Sequence, residues 1–112
     1  MNLKQKDLVL LPYPYSNLKE DKVRPALILS NESFNKRSRD CIVVPLTSVI
    51  KDDPSSVLVS QGDMDEGTLI RPSRIRADKI FNVEQRLVKM RIGSVKNTVF
   101  DKVRQEVVKI LN

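Results

Sequence analysis

The stretch KVRPALILSN, residues 22–31, sets an arginine and a proline directly before an apolar run. The run itself, residues 26–29, is aliphatic and predicts a buried β-strand. Proline donates no hydrogen bond to a neighbouring strand, but it is tolerated as the first residue of one. Arg24 is therefore predicted to lie at the rim of a sheet. There it either points into water or is held by the stiff backbone so that its guanidinium meets an anion.

The chain as a whole is basic. Its 112 residues include 20 Lys and Arg against 14 Asp and Glu, which gives a formal net charge of +6. This length suits one domain with a modest hydrophobic core, so residues 1–112 are predicted to form a single domain. The excess of positive charge favours an anionic partner: nucleic acid, an acidic protein segment or a membrane surface.

Several kinds of site are excluded by composition. The chain has no histidine, so imidazole acid–base chemistry and histidine-ligated metal sites are ruled out. The single cysteine, Cys41, lies in the apolar run CIVVPL and is predicted to be a small buried hydrophobe rather than a reactive thiol. No apolar stretch approaches the roughly 20 residues that span a bilayer, and no signal peptide is recognised. We therefore expect a cytoplasmic protein without a membrane partner.

Short aliphatic runs separated by polar turns predict a mainly β protein. The predicted strands cover residues 7–12, 24–30, 41–47, 56–60, 68–71, 79–83 and 87–92, with turns in DDPSS and SQGDMDEG. Near the C-terminus, apolar residues recur every three to four positions and predict a helix that ends at Leu111. Thr98 and Asp101 have the spacing of a capping box at its start. Together these elements predict a small, strongly curved sheet or partly closed barrel with a C-terminal α-helix.

Two predicted loops carry the polar surface of this sheet. Residues 13–23 join the first two strands, and residues 31–40 join the next two. Each loop mixes basic residues with hydroxyls and an aromatic, which suits contact with a flexible nucleic acid chain. The same composition is typical of an ordinary solvated loop.

Three blocks of the sequence, in this order, resemble the MazF/PemK family of toxin ribonucleases. They are KDLVLLPYPYSNLKEDKVRPALILSN, CIVVPLTS and IRADKIFNVEQRLVKMRIGSV. The resemblance implies a small SH3-like barrel of short antiparallel strands with a helix, forming a homodimer. It also implies a sequence-specific endoribonuclease toxin of a type II toxin–antitoxin system. The implied partners are single-stranded RNA, in particular mRNA, and a cognate antitoxin whose acidic tail occupies the RNA groove.

The implied reaction needs neither metal nor cofactor. The ribose 2′-OH attacks the adjacent phosphate and leaves a 2′,3′-cyclic phosphate and a 5′-OH. The resemblance assigns the main active-site roles to Arg24, in the RP motif, and to Thr47, in the TS motif. A preorganised arginine would stabilise the charge that develops on phosphorus more strongly in the transition state than in the ground state. Ser48, next to Thr47, would bind a non-bridging phosphate oxygen, although both hydroxyls are equally suited to satisfying a turn.

A second pair of candidates lies in the third block. Arg76 and Asp78 match an arginine and a carboxylate that some family members use in proton transfer. Spacing by two puts both side chains on one face of an extended segment. There Asp78 would accept the 2′-OH proton or orient Arg76, but a structural ion pair explains the same spacing. Further predicted RNA-binding residues are Tyr15, Ser16, Lys22 and Lys79.

The sequence departs from the family pattern at two places. Many members carry glycine at the position of Lys6, so the turn before the first strand is expected to differ. Some members use a histidine in or near the first loop, and this chain has none. Two alternatives to the ribonuclease stay open: a non-catalytic basic barrel that binds RNA or an acidic protein segment, and a degenerate toxin-like subunit retained for DNA-bound repression with its partner.

Overall fold

The computed structural model of the chain describes residues 2–12, 23–48 and 51–112. Its strands are β1 Asp7–Pro12, β2 Val23–Ile28, β3 Asp40–Thr47, β4 Ser56–Val59, β5 Met64–Gly67, β6 Ser73–Arg76, β7 Phe81–Glu84 and β8 Met90–Val95. Its α-helices are α1 Glu32–Arg37 and α2 Asn97–Leu111, and short 3₁₀ turns cover Gln61–Asp63 and Gln85–Leu87.

All strand pairs are antiparallel, and their order across the sheet is β4-β6-β3-β2-β1-β8-β5. β3 is the strand on which the sheet curls. Its first half, from Asp40 to Val43, pairs with β7, while Leu46 and Thr47 at its end pair with β6. The sheet is therefore a curled half-barrel, and the predicted small, curved, mainly antiparallel fold with a C-terminal helix is confirmed.

The strands bury side chains on both faces, which explains why their sequences are nearly continuous aliphatic runs. On one face Leu27, Val44 and Ile75 pack under α2, with Phe100 and Val103 from the helix. The residues that alternate with them pack on the other face in a second cluster, which includes Val9, Leu11, Ala26, Ile28, Cys41, Val43 and Val83. Alternation along β2 and β3 thus serves two cores.

The predicted loop 31–40 contains the helix α1, so that prediction is wrong. The side chain of Asn31 accepts a hydrogen bond from the backbone N–H of Phe34 at 2.9 Å and caps the helix. Asn35 is buried and donates to the carbonyl of Ser30, while its own oxygen accepts from the Ser30 hydroxyl. Gln85 then donates from Nε2 to the carbonyls of Asn35, Ser38 and Asp40. These distant partners stabilise a helix that is too short to persist alone.

The predicted strand 68–71 is also wrong, and β5 lies instead inside the predicted turn SQGDMDEG. Gly67 accounts for the shift. It has a φ of +82°, and a Cβ there would lie 2.1 Å from the carbonyl oxygen of Ile92. The chain therefore crosses close to β8 and leaves the sheet after Gly67. The side chain of Gln61 then accepts from the backbone N–H of Leu69 at 2.7 Å, which takes the place of a strand partner.

Two smaller expectations concern turns. The helix α2 begins at Asn97, and its N-cap residue Lys96 makes no capping side-chain bond, so Thr98 and Asp101 do not form the predicted capping box. The turn before β1 was expected to differ because it carries Lys6, and Lys6 has a φ of 79°. A lysine thus occupies a left-handed turn that glycine adopts without strain.

Candidate functional site

A groove of about 730 Å³ opens at the end of the sheet where β1 and β3 finish, beside the segment that follows β5. Its floor is apolar and is formed by Leu10, Leu46, Leu69 and Ile92. Its polar lining consists of two arginines and four hydroxyl residues, Arg24, Arg71, Thr47, Ser48, Thr68 and Ser73. No carboxylate occurs among the described lining residues, so this lining is positively charged.

Arg24 and Thr47 reach the groove from neighbouring strands. β2 pairs with β3 in the register that sets Ala26 opposite Pro45. Continued by two residues along both antiparallel strands, this register brings Arg24 level with Thr47. Arg24 is exposed and forms no ion pair with any residue in the described ranges. It lines a groove whose described lining holds no carboxylate.

The two hydroxyls at the end of β3 differ in exposure. Thr47 is half-buried and Ser48 is exposed, and both line the groove. On its other side β3 pairs with β6, and here Thr47 lies opposite Arg74. Residues that are opposite each other in an antiparallel pair project from the same face. Thr47 is therefore bordered by one arginine on β2 and another on β6.

Arg71 is a groove residue that the sequence interpretation missed. It is exposed, lines the groove with Arg24, and makes no ion pair within the part of the chain that the structure describes. The sequence does hold a signal for it, because Arg71-Pro72 repeats the dipeptide Arg24-Pro25. In both cases a proline fixes the backbone next to the arginine. Prediction of a strand over residues 68–71 concealed this repeat.

Arg76 and Asp78 lie together but do not line the groove. The guanidinium of Arg76 donates from Nε and Nη2 to the two oxygens of Asp78, at 3.2 and 3.1 Å. Nη2 also lies 3.3 Å from Asp53. The hydrogen bond from Arg76 is the main reason that the pKa of Asp78 is lowered, and the same bond raises the pKa of Arg76. Asp78 is thus an ionised, occupied carboxylate.

Of the remaining predicted residues, the structure describes Lys79 and Cys41. Lys79 is exposed and lies outside the groove lining. Tyr15, Ser16 and Lys22 lie outside the described residues. Cys41 is fully buried, and burial raises the pKa of its thiol to about 11, so the prediction of a buried, unreactive cysteine is confirmed.

Within the described ranges, no three Cys, Asp or Glu side chains come together as metal ligands. No helix in the described part of the chain has the length and apolar character needed to cross a membrane.

Comparison with solved structures finds the same fold in proteins of low sequence identity. MazF (Form-I) from Deinococcus radiodurans matches with a TM-score of 0.80 and 22% identity, covering 99% of this chain and 97% of that one. MazE–MazF (Form-II) from the same organism matches with a TM-score of 0.79 and 22% identity, covering 100% and 97%. An endoribonuclease in complex with its cognate antitoxin from a mycobacterial species matches with 0.79 and 19%, covering 97% and 94%.

Comparison with curated proteins gave no match. Comparison with protein families gave a match that spans nearly the whole chain. The matching family is the PemK-like, MazF-like toxin of type II toxin–antitoxin systems, and it covers residues 4–111. The chain therefore belongs to the PemK-like, MazF-like family of toxins of type II toxin–antitoxin systems.

Proposed function

We propose that the protein is an endoribonuclease toxin that cuts single-stranded RNA in the groove lined by Arg24 and Thr47. One observation carries this proposal. Arg24 and Arg71 line one groove with four hydroxyls, and neither has an acidic partner in the described chain. By contrast, Arg76 and Arg91 are each held by carboxylates. The family match supports the same function for residues 1–112 as one toxin domain.

Arg24 is assigned to the reacting phosphate. Attack of the ribose 2′-oxygen on phosphorus builds negative charge on the non-bridging oxygens before the bond to the 5′-oxygen breaks. An arginine presents two parallel N–H donors that match these oxygens. Because Pro25 limits the backbone next to Arg24, little reorganisation is needed as the charge develops. The Thr47 hydroxyl donates a hydrogen bond to the same phosphate, and Ser48 and Arg71 bind its neighbours.

Proton transfer is assigned to water. The chain has no histidine, and an arginine stays charged throughout. Asp78 is bound by Arg76 and has a lowered pKa, which makes it a weak base. The 2′-hydroxyl proton therefore leaves to solvent, and the 5′-oxygen takes a proton from water. In this account Arg76 and Asp78 have a structural role at the end of β6, the alternative that their spacing left open.

The partners follow from the charge of the groove. A basic, carboxylate-poor lining suits an acidic protein tail as well as RNA, so we propose that a cognate antitoxin inhibits by occupying it. The solved neighbours include toxins described with MazE or with a cognate antitoxin, which supports such a partner.

Two exposed apolar side chains support burial in a homodimer. They are Ile70, 89% exposed at the groove, and Met90, 49% exposed. Tyr15, Ser16, Lys22 and Lys79 are proposed to extend the RNA contact. Because its proposed substrate is mRNA, we propose that the protein acts in the cytoplasm.

The test is incubation of the purified protein with a long mixed-sequence RNA in EDTA, followed by mapping of the new ends. We expect discrete cuts that carry a 5′-OH on one side and a 2′,3′-cyclic phosphate on the other. RNA that is bound but left intact would favour the non-catalytic barrel. That alternative agrees with the lack of a carboxylate base among the described lining residues.

A further inference from the structure

β6 carries two arginines, Arg74 and Arg76, and neither lines the groove or takes part in the proposed reaction. Arg76 is held by carboxylates through both Nε and Nη2, whereas Arg74 is not fully paired. The Arg74 side chain is only 16% exposed, so its charge is largely removed from water. Nη1 lies 3.3 Å from the hydroxyl of Ser56, and Nη2 lies 3.3 Å from Oδ1 of Asp52. Nε is buried and finds no acceptor in the described protein. Because Nε is buried without an acceptor, the guanidinium is incompletely satisfied.

The unsatisfied atom belongs to the edge of the guanidinium that grips anions. Nε and Nη2 lie side by side and form a two-pronged donor. In Arg76 this edge holds both oxygens of Asp78. In Arg91 it is also filled on both prongs, by Asp7 and Glu66. In Arg74 one prong has no acceptor and the other contacts the fully exposed carboxylate of Asp52. A buried donor without an acceptor is uncommon and calls for a ligand or a strain that explains it.

Asp52 is a weak partner for this charge. Its side chain is fully exposed, at 102% of the reference value, and it contacts Arg74 through one oxygen. The attraction between Arg74 and so exposed a carboxylate is weak, because water and salt screen it. A phosphate group could therefore displace Asp52 and accept from both prongs at once.

The position of Arg74 says which phosphate this would be. Thr47 and Arg74 lie opposite each other across β3 and β6, on one face. Directly opposite side chains start about 5 Å apart at Cβ, and the guanidinium of Arg74 extends from there toward Ser56 on β4, on the side of β6 away from Thr47. An RNA strand that runs from Thr47 across β6 brings its next phosphate toward Arg74. Single-stranded nucleic acid binds along just such tracks of positive charge.

We propose that Arg74 binds the phosphate next to the one held at Arg24 and Thr47, and that Asp52 occupies this place in the free protein. The inference rests on the proposed function for the identity of the ligand, RNA. Asp52 is then an internal competitor, so it lowers the affinity for RNA and makes binding depend on its release. Neither residue touches the reacting phosphate, and Arg74 is a positioning residue.

The test uses binding and cleavage in parallel. Binding is measured with a short mixed-sequence RNA in which every ribose carries a 2′-O-methyl group, so that attack by the 2′-oxygen is blocked. The variants are Asp52→Asn and Arg74→Gln. Their matched controls are Asp65→Asn, an exposed acid elsewhere, and Arg37→Gln, an exposed arginine on α1 at the other end of β3. Affinity is followed by fluorescence anisotropy over a range of salt concentrations. Cleavage is measured separately, with unmodified RNA and wild-type protein.

We expect Asp52→Asn to bind the blocked RNA severalfold more tightly than Asp65→Asn does. Arg74→Gln should bind on the order of tenfold more weakly, with the salt slope shallower by about 0.7, the loss of one phosphate contact on a single strand. Arg37→Gln should behave like the wild type. Asp52→Asn removes an exposed carboxylate and should not affect folding, so it tests the proposal even if Arg74→Gln is unstable.

The possible failures can be told apart. If wild-type protein cuts RNA but Asp52→Asn binds no more tightly than its control, the assignment of Arg74 is overturned and the ribonuclease stands. If wild-type protein leaves RNA intact while both variants shift binding as expected, the Arg74 site stands and the nuclease is overturned. If wild-type protein neither binds nor cuts RNA, both are overturned.

Discussion

Arg76 holds Asp78 by both prongs of its guanidinium, with Nε–Oδ1 and Nη2–Oδ2 distances of 3.2 and 3.1 Å. The side chains are 26% and 34% exposed, so the pair lies at the surface and water weakens it. The pair explains why residues two apart on β6 and the turn after it point the same way. It also commits the one carboxylate that the sequence offered as a base.

Replacement of Asp78 by Asn tests this structural role. The variant should lose less than about 1 kcal/mol of the free energy of unfolding at neutral pH, because the pair is partly exposed. The folded-state pKa of Asp78 is lowered, chiefly by the bond from Arg76. The stabilisation is therefore present above the pKa of an ordinary aspartate and is lost as pH falls through the lowered folded-state value. Denaturant unfolding should show wild type and variant converging in acid. Cleavage should persist in Asp78→Asn, and its abolition would restore Asp78 as the base.

Arg71 should contribute to RNA binding and turnover. Arg71→Ala is expected to weaken binding of RNA on the order of tenfold, because one arginine–phosphate contact is lost. Arg71→Lys should recover only part of the affinity, because lysine keeps the charge but lacks the two-pronged donor. Stability should change little, because Arg71 is exposed. Arg39→Ala, another exposed arginine, is the control for net charge. Equal affinity in both alanine variants would remove Arg71 from the site.

The hydroxyl of Thr47 can be separated from its shape. Thr47→Val keeps the branched side chain at the end of β3 but removes the donor, and it should slow cleavage roughly 10- to 100-fold. Thr47→Ser keeps the hydroxyl and should stay within a few-fold of wild type. Single-turnover rates at saturating enzyme measure the difference directly. A serine variant as slow as the valine variant would mean that Thr47 acts through packing.

Cys41 should be inert in the native protein. It is fully buried, and burial raises the pKa of its thiol to about 11. At mildly alkaline pH the thiolate is therefore scarce and shielded, so alkylation should proceed only through unfolding. The labelling rate should rise with denaturant in step with the unfolded fraction. Rapid labelling without denaturant would contradict the assigned burial.

Much of the strand framework could be predicted from aliphatic runs. β1 was predicted at its observed bounds, and β3 differs by one residue at its start. These runs are long and end at proline or at hydroxyls, so their limits are encoded locally. Local signals failed where distant side chains decide the structure. The helix α1 depends on Gln85, which lies 50 residues after its partner Asn35, and residues 68–71 depend on Gln61 and Gly67.

The candidate site was predictable to the extent that it uses strand ends. Arg24 lies at the start of β2 and Thr47 at the end of the neighbouring antiparallel strand β3, so both lie at one edge and line one groove. The spacing of Arg76 and Asp78 predicted a shared face of an extended segment. The two side chains do pair, but Asp78 lies in the turn after β6, which the N–H of Lys79 closes on the carbonyl of Arg76 at 3.1 Å. Arg71 was missed because its segment was assigned to a strand. Its place in the groove depends on how the chain leaves β5 after Gly67.

The measurement that tests the central claim most directly is the cleavage rate of Arg24→Ala in EDTA, beside wild type and Arg37→Ala. Each protein is given the same RNA at saturating enzyme, and binding of the 2′-O-methyl RNA is measured in parallel. We predict that Arg24→Ala cuts at least roughly 100-fold more slowly than wild type, the effect of losing a preorganised donor to the transition state, while Arg37→Ala cuts normally. The loss of affinity should be much smaller than the loss of rate. Undiminished cleavage by Arg24→Ala would contradict the account.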